Sequence, residues 1–589
     1  MSNHNLIAIR YDKDKNHFLA VCGFHMNHIM NRIPSRRFRR RTRDWVVPNL
    51  RLNCKVIAEY ENFFVFEDRE SKDVYNKTVN SKVNPNRQPF PKDYDFVFPP
   101  KPKQQEALDQ LYGQRNCAVF SKAGTGKSKI VVDLNCQYYR EQHITGWLIA
   151  CPNYIRKNWL DELHKHVGVE FDAYIFDTKG WNKTKQREYD RWIKPSKKFK
   201  IGIVGLASLK TRDKKAQRPT GRMFPLVEKF MMQGNLAMSV DESHNIKNYQ
   251  SNTTQNCKDL GFLANWKQIM TGTPVTKDSL DLFGQYDFLD PTILGVDNYY
   301  SFRNRYAELG GFENKQVVGL INQEELAELV APVTFQCTLA EMGAEPKVYM
   351  PPRQFELTPE QKKMYNKVRK GRSIVVADDT LATVDNILQV YLALQQIVNG
   401  FVTYTEEVEE DGRMVQYRRT QSIVEPMKNP KLLLARDMMG DMDAQGQVII
   451  WSKFNQTIND FITVMGEENC IKYNGECSDE ELDQAKDDFL TKRKRFFVAT
   501  PTKAGTGLNW LVQAEDALYL DNTYKYIDRE QTEGRNNRLT SVIPARYWDV
   551  FPIGGLVDGV IYQSVQQKKN VALYVEENIE RCLADLGIK

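Results

Sequence analysis

The stretch VFSKAGTGKSK, residues 119–129, decides how the rest of the chain is read. It follows the apolar CAVF (117–120) and leads into IVVDLNCQYY (130–139), whose apolar residues recur with a helical period. A strand, a glycine loop and a helix in that order form a cradle for a polyphosphate. Gly124 and Gly126 let backbone N–H groups approach closely, and the new helix N-terminus adds its positive end. In such a loop Ser121, Lys122, Ala123, Gly124, Thr125 and Gly126 surround the phosphates. Lys127 reaches the terminal ones, and the Ser128 hydroxyl serves as a ligand for Mg2+.

A phosphate loop calls for an acidic partner. LAMSVDESH (236–244) is an apolar run ending in Asp241 and Glu242. Alone, the pair is an ordinary acidic turn. At the carboxyl end of a parallel strand beside a phosphate loop, Asp241 is placed to hold Mg2+ through water, and Glu242 to orient and deprotonate an attacking water. The expected cofactors are ATP and Mg2+.

At 589 residues the chain is too long for one core, which implies three or four units. Charged residues are 27% and hydrophobic residues 41%, the composition of an ordinary globular protein, and no apolar run reaches the length needed to span a bilayer. The start, MSNHNLIAIRYDKDKN, lacks the apolar region of a signal peptide, so a cytoplasmic setting is expected. Ten scattered cysteines without a CxxC pair indicate neither a disulfide framework nor a zinc ribbon. The net charge of +7 is modest, and its distribution says more. RIPSRRFRRRTR (32–43) packs seven arginines into twelve residues, with Phe38 inside and Trp45 just beyond. KGWNKTKQREYDRWIKPSKKFK (179–200) again interleaves aromatic and basic residues. Either could be a solvated face; together they favour a polyanionic partner.

Along the chain, LIAIRY, HFLAVCGF, CKVIAEY and NFFVFED read as short strands, giving a β-rich N-terminal domain over residues 1–90. From about residue 100, apolar runs (CAVF, GWLIACP, KIGIVGL, LAMSVDE) alternate with helix-like segments, as buried parallel strands joined by crossover helices do. The pattern recurs in QVIIWSKF, RFFVATPT and ALYLDN. The expected fold is α/β, with two tandem lobes at 91–345 and 346–589. A hairpin insertion near 403–421 is expected to turn at Asp411-Gly412.

Further blocks arrive in order. PPKPKQQEALDQL contains Gln104 in a PxQxxA setting, LIACPNYIRKNWLDEL resembles motif Ia, and IMTGTPVTKDSLDLFGQYDFLDP carries the TGTP of motif III. VIIWSKF, ATPTKAGTGLNW and DREQTEGRNNRLT resemble motifs IV, V and VI. With Ser121 where the strict phosphate loop has glycine, the set resembles the Snf2 family of helicase superfamily 2 over residues 95–570. PPRQFELTPEQKKMY and LQQIVNGF are Snf2-like details. The resemblance implies that the two tandem lobes are RecA-like, that Gln104 reads adenine, that Gly505 and Gln531 help bind ATP, and that Arg535 and Arg538 reach the γ-phosphate from the second lobe. His244, Thr271, Gly272 and Thr273 would couple hydrolysis to movement. Pro152, Asn153, Ser452, Lys453 and Thr502 would contact nucleic acid. Two departures touch that coupling: DNTYKYID places Tyr524 where the family has a Trp-Asn-Pro turn, and GRNNRLTS replaces RxHRxGQ.

RIPSRRFRRRTRDWVVPN resembles the core of the HARP-type domain of annealing helicases, which implies DNA contacts from Arg36, Arg37, Arg39, Arg40 and Trp45. The expectation is a compact, monomeric bacterial or phage motor that hydrolyses ATP to move on double-stranded or branched DNA in repair, recombination or replication. A strand-separating DNA or RNA helicase, and a motor subunit serving a protein partner, stay open beside it.

Overall fold

The computed structural model describes residues 6–571, apart from 14–16, 31–32, 34–36, 40–41, 49–50, 80–87, 178–180, 214–217, 277, 297, 312–315, 377–383, 411–412, 443–445, 506–507, 509, 539–540, 542, 555 and 568–570. Two compact units divide the chain: Met1–Lys122 with Gly126–Thr338, and Leu339–Lys589 with Ala123–Thr125.

The first unit is built on a seven-stranded sheet in the order Thr334–Cys337, Asn116–Ser121, Trp266–Met270, Leu236–Asp241, Gly146–Cys151, Phe199–Gly205, Phe171–Phe176. Every pairing is parallel. Gly146–Cys151 is buried at all six positions, as a strand covered on both faces must be. The crossover helices include Lys127–Arg140, Arg156–His166, Met223–Met231 and Asn252–Phe262. Because all strands run one way, Ser121, Cys151, Asp241 and Met270 end on one edge of the sheet. Ligands of open α/β sheets bind at that edge.

Residues 7–79 carry a separate five-stranded sheet within this unit, in the order Arg37–Arg39, Asp44–Pro48, His17–Val21, Ile7–Asp12, Phe64–Phe66. Its core includes Ile7, Ile9, Phe18, Val47, Ile57 and Tyr75. This body is less β-rich than its alternation implies. CKVIAEY, expected as a strand, lies mostly in the helix Arg51–Glu59. Cys54 and Ile57, three residues apart, are both buried, and such short apolar runs fit either period.

The second unit holds another parallel sheet of seven strands: Val348–Tyr349, Arg546–Pro552, Asp516–Tyr519, Val448–Trp451, Phe496–Ala499 and Cys470–Tyr473 in order, with Arg353–Phe355 also paired to Arg546–Pro552. The fold is therefore α/β with two parallel sheets. Phe401–Glu410 and Arg413–Ser422 form an antiparallel hairpin; the expected turn residues, Asp411 and Gly412, lie outside the described residues.

A buried ion cluster fastens the helix Tyr526–Asn536 to this sheet. The Arg529 guanidinium donates to both oxygens of Asp549 (2.7 and 2.9 Å), to Glu533 Oε1 (2.7 Å) and to Asn522 Oδ1 (2.9 Å). It lies over the Tyr519 ring. Lys347 and the Tyr349 hydroxyl donate to the other oxygen of Glu533. Removing the arginine alone takes the guanidinium from buried Asp549 and leaves Glu533 with Lys347 and Tyr349, and breaking a buried pair in this way typically costs about 3–5 kcal/mol. Arg529→Met should therefore lower hydrogen-exchange protection in Asp516–Tyr519 and Arg546–Pro552 by that amount. Adding Asp549→Asn and Glu533→Gln should restore part of it; equal protection in Arg529→Met and wild type would remove the cluster from the stability of this sheet.

Candidate active site

The loop after Asn116–Ser121 turns through two left-handed glycines, Gly124 (φ 84°) and Gly126 (φ 82°), and the helix starts at Lys127. Such backbone angles favour glycine. A Cβ at Gly126 would also sit 2.2 Å from the Gln104 amide nitrogen, so Gln104 would have to shift. Gln104 is buried against the loop, its Oε1 accepting from the Lys101 N–H at 2.9 Å. The Lys127 ammonium is turned onto the carbonyls of Ser121 (2.8 Å) and Lys122 (3.3 Å). The buried Ser121 hydroxyl has no hydrogen-bond partner among the described residues.

Across this edge Asp241 ends its strand. Its carboxylate accepts from Trp159 Nε1 (2.9 Å) and from the Glu242 N–H (2.9 Å). Glu242 stands in a left-handed conformation (φ 50°), a costly one for a residue with a side chain, and this re-aims its carboxylate just after the strand. Burial, reinforced by Glu242, pushes Asp241 up to about 6, with Lys127 pulling the other way. Burial also raises Glu242, but hydrogen bonds and charge from His244, Lys127 and Thr271 outweigh it and hold the carboxyl below its usual range. The two neighbouring carboxyls are thus pushed in opposite directions.

Thr271, the first residue of the TGTP turn, closes the arrangement. Its hydroxyl donates to Glu242 Oε2 at 3.0 Å and accepts from the Thr273 N–H at 3.1 Å. His244 Nδ1 lies 3.0 Å from the same hydroxyl and 3.4 Å from Glu242 Oε2. Because the one hydroxyl proton is spent on Glu242, Nδ1 carries the hydrogen in this contact. The structure thus brings Gln104, Lys127, Asp241, Glu242, His244, Thr271 and Thr273 to one edge, with Gly272 between the two threonines.

Five side chains that hold this site are not among those the sequence singles out. Trp159 anchors Asp241. Gln285, fully buried on the helix Leu282–Leu289, accepts from the Ser243 hydroxyl (2.7 Å) and donates to the carbonyls of Pro274 (2.7 Å) and Asp281 (3.0 Å). It staples the Asp241–His244 turn to the TGTP turn. Behind them Trp147 Nε1 donates to Ser239 Oγ (2.7 Å), which donates to Gln268 (2.6 Å). This buried relay ties the strands Gly146–Cys151, Leu236–Asp241 and Trp266–Met270 together.

In the second unit, Arg535 Nη1 and Arg538 Nη2 both donate to the Leu508 carbonyl, at 3.1 and 3.0 Å. The Gln531 carbonyl accepts from Arg535 Nε. Gly505 packs so closely that a Cβ would meet the Pro501 carbonyl at 2.2 Å. Of the positions expected on nucleic acid, Asn153 and Thr502 are exposed, and Pro152 is buried. Ser452 and Lys453 correct the expectation. Ser452 is fully buried and its hydroxyl donates to Asp521, while Lys453 turns inward to Gln395 and over the Tyr524 ring. A hydroxyl and an amine placed just beyond a buried strand are used by the lobe itself. Tyr189 and Trp192 of the 179–200 stretch are likewise core residues, and Trp181 is partly buried against the same core. In the arginine-rich run, Arg39 and Thr42 are engaged by Asp44, whose carboxyl they hold down at about 2. Phe38 and half-buried Trp45 pack against each other at 5.1 Å. Arg36 and Arg40 lie outside the described residues, as does the side chain of Arg37.

A family model described as the SNF2-related domain matches residues 51–401. The DNA repair and recombination protein RAD54-like of Gallus gallus is 21% identical over 529 residues, covering 82% of this chain and 68% of that protein. RAD26 of Saccharomyces cerevisiae is 24% identical over 234 residues, 34% of this chain and 21% of its own length. Against the solved Sulfolobus solfataricus SWI2/SNF2 ATPase core in complex with dsDNA, identity is 19% and the TM-score 0.36, covering 85% of this chain and 97% of that one.

Gln285→Leu should leave nucleotide binding intact and lower kcat about ten-fold, since a loosened turn misplaces Glu242 rather than the phosphate loop. Gln285→Glu, which keeps the acceptor for Ser243 but loses the donor, should fall between; unchanged kcat in Gln285→Leu would show the staple to be dispensable. Lys453 yields a pH dependence. Burial lowers its ammonium to about 8, against the pull of Asp521 and Asp558. Between pH 8 and the unfolded value of 10.5, the unfolded chain holds a proton that the folded chain has released, so this group's contribution to stability rises with pH. Relative to Lys453→Met, the wild type should gain on the order of 2 kcal/mol across that window; a flat difference in denaturation midpoint would contradict the buried placement.

Proposed function

The chain belongs to the SNF2-related family, and on that footing we propose that it hydrolyses ATP to translocate on double-stranded DNA, remodelling forks, branched DNA or protein–DNA complexes. Membership makes it a DNA-dependent ATPase. The observation that carries the hydrolysis is the closed contact of Glu242 with Thr271 and His244 beside the Lys127 loop, and movement on duplex DNA is supported by the family. The residues fit the nucleotide and its metal. Two adjacent carboxylates, one pushed up by burial, gain from a neighbouring cation, and the loop leaves Gln104 beside Gly126 for a base edge.

In this reading Gln104 orients the base, and the Lys122–Gly126 backbone and Lys127 hold the phosphates. Ser128 and Asp241 hold Mg2+, which when bound neutralises phosphate charge. Glu242 accepts the proton of the attacking water, and Thr271 with His244 fixes the direction from which it does so. Arg535 and Arg538 supply positive charge as the γ-phosphoryl group leaves. The RAD54-like relatives are named for DNA repair and recombination, and the same kind of task is proposed here. The chain spans about two thirds of their length, 68% and 63%.

Glu242→Gln should bind ATP as wild type does while losing at least a hundred-fold in turnover, by the usual worth of a general base; Lys127→Ala should weaken nucleotide binding or turnover. ATPase rate against duplex, forked and single-stranded DNA and RNA discriminates the readings. Duplex DNA is expected to stimulate most, with affinity falling steeply with salt. Greater stimulation by single strands or RNA would replace the translocase with a strand-separating helicase, and stimulation by a co-purifying protein alone would make the chain a partner's motor.

A further inference from the structure

The two side chains assigned to opposite ends of the nucleotide stand on different helices. Gln104 lies in the first turn of Pro102–Leu111, and Lys127 opens Lys127–Arg140. A third piece of chain, residues 88–101, leads into the first helix and is hydrogen-bonded to both.

On the first helix, the Phe90 N–H donates to Asp109 Oδ1 at 3.0 Å, an oxygen that also accepts from Gln105 at 3.1 Å. On the second, the Tyr94 hydroxyl donates to Asp133 Oδ1 at 3.2 Å. The other oxygen of Asp133 accepts from the Lys129 ammonium at 2.5 Å, one turn nearer the phosphate loop. Lys129 lies over the Phe96 ring at 4.9 Å, and Arg140 over the Tyr94 ring at 4.7 Å. The rings of Phe90, Tyr94 and Phe96 pack on one another at 4.6 to 5.7 Å, so the segment forms one aromatic clasp across the two helices. Apolar packing is non-directional and would join the helices without fixing how far one slides along the other. Asp133 supplies the direction. It is 2% exposed, and a buried carboxylate is stable only while its partners stay within hydrogen-bond reach. Those partners are Tyr94 of the clasp and Lys129, two residues beyond Lys127.

We propose that Tyr94 and Asp133 are positioning residues that set the span from Gln104 to Lys127, and so let the site choose adenine over guanine triphosphates. The inference rests on the reading in which Gln104 orients the base, and deepens it. A glutamine amide offers one donor and one acceptor, which match the donor and acceptor of the adenine edge and not the two acceptors of guanine. The match counts only if the base reaches the amide while the phosphates are seated in the loop. A helix that slides along the clasp keeps the phosphates and loses the base.

The test measures binding of ATP, GTP and inorganic tripolyphosphate, each with Mg2+, to the full chain. Wild type should prefer ATP to GTP about ten-fold to a hundred-fold, the usual worth of a matched pair of hydrogen bonds, and Gln104→Ala should lose that preference. Tyr94→Phe keeps the ring and its packing; Asp133→Asn keeps the shape. Each should weaken ATP about ten-fold while GTP and tripolyphosphate bind as in wild type. Hydrolysis should follow with a raised KM and kcat nearly kept. Should Asp133→Asn not fold, Tyr94→Phe decides alone. Equal losses for ATP and tripolyphosphate would mean a helix merely loosened and would overturn the proposal, as would an undiminished ATP preference in Tyr94→Phe. If wild type shows no preference, or Gln104→Ala keeps it, the reading of Gln104 fails instead.

Discussion

The hydroxyl of Thr271 is the joint on which the first unit's chemistry turns. It has one proton to give and gives it to Glu242, while its oxygen receives the Thr273 N–H and the hydrogen on His244 Nδ1. Glu242 sits in a left-handed conformation just after its strand and is drawn by burial toward the neutral form. A base in that position works only if something fixes its direction and keeps it ionised, and this contact contributes to both. The parallel sheet serves the same end. The strands Leu236–Asp241 and Trp266–Met270 are neighbours in register, Asp241 opposite Met270, so the turns that follow them emerge side by side.

The stabilising elements around the joint are polar and buried, which makes them exacting. Gln285 meets Ser243, Pro274 and Asp281 at once, and Trp147, Ser239 and Gln268 form a relay under the strands. Fully satisfied, such networks specify one arrangement; with one member lost, the remaining buried groups are penalised. The second unit follows the same logic with charges, through Arg529, Asp549 and Glu533 beneath the helix that carries Arg535.

Much of this was legible in the sequence, for a physical reason. Phosphate chemistry needs glycine at left-handed turns, a lysine at the helix start and acids at a strand end, and these requirements fall on neighbouring residues. Buried parallel strands announce themselves as short apolar runs, so the two α/β sheets could be read directly. What stayed hidden depends on partners distant in sequence. Gln285 lies 42 residues from Ser243, and Asp549 lies 20 from Arg529. Lys453 read as a nucleic-acid contact because the residues that enclose it, Gln395 on one segment and Asp521 and Tyr524 on another, are distant in sequence. CKVIAEY misread as a strand because seven residues with this spacing suit a helix equally well.

The central claim is that Thr271 aims and ionises the base rather than binding nucleotide. Thr271→Val keeps the shape of the residue and removes the hydroxyl. Single-turnover hydrolysis of pre-bound ATP, followed across pH with the affinity measured in parallel, tests it directly. The account predicts unchanged affinity, a hydrolysis rate lowered at least ten-fold, and an acidic limb of the pH profile moved to higher pH as Glu242 loses a stabilising donor. An unchanged hydrolysis rate and profile in Thr271→Val would contradict it.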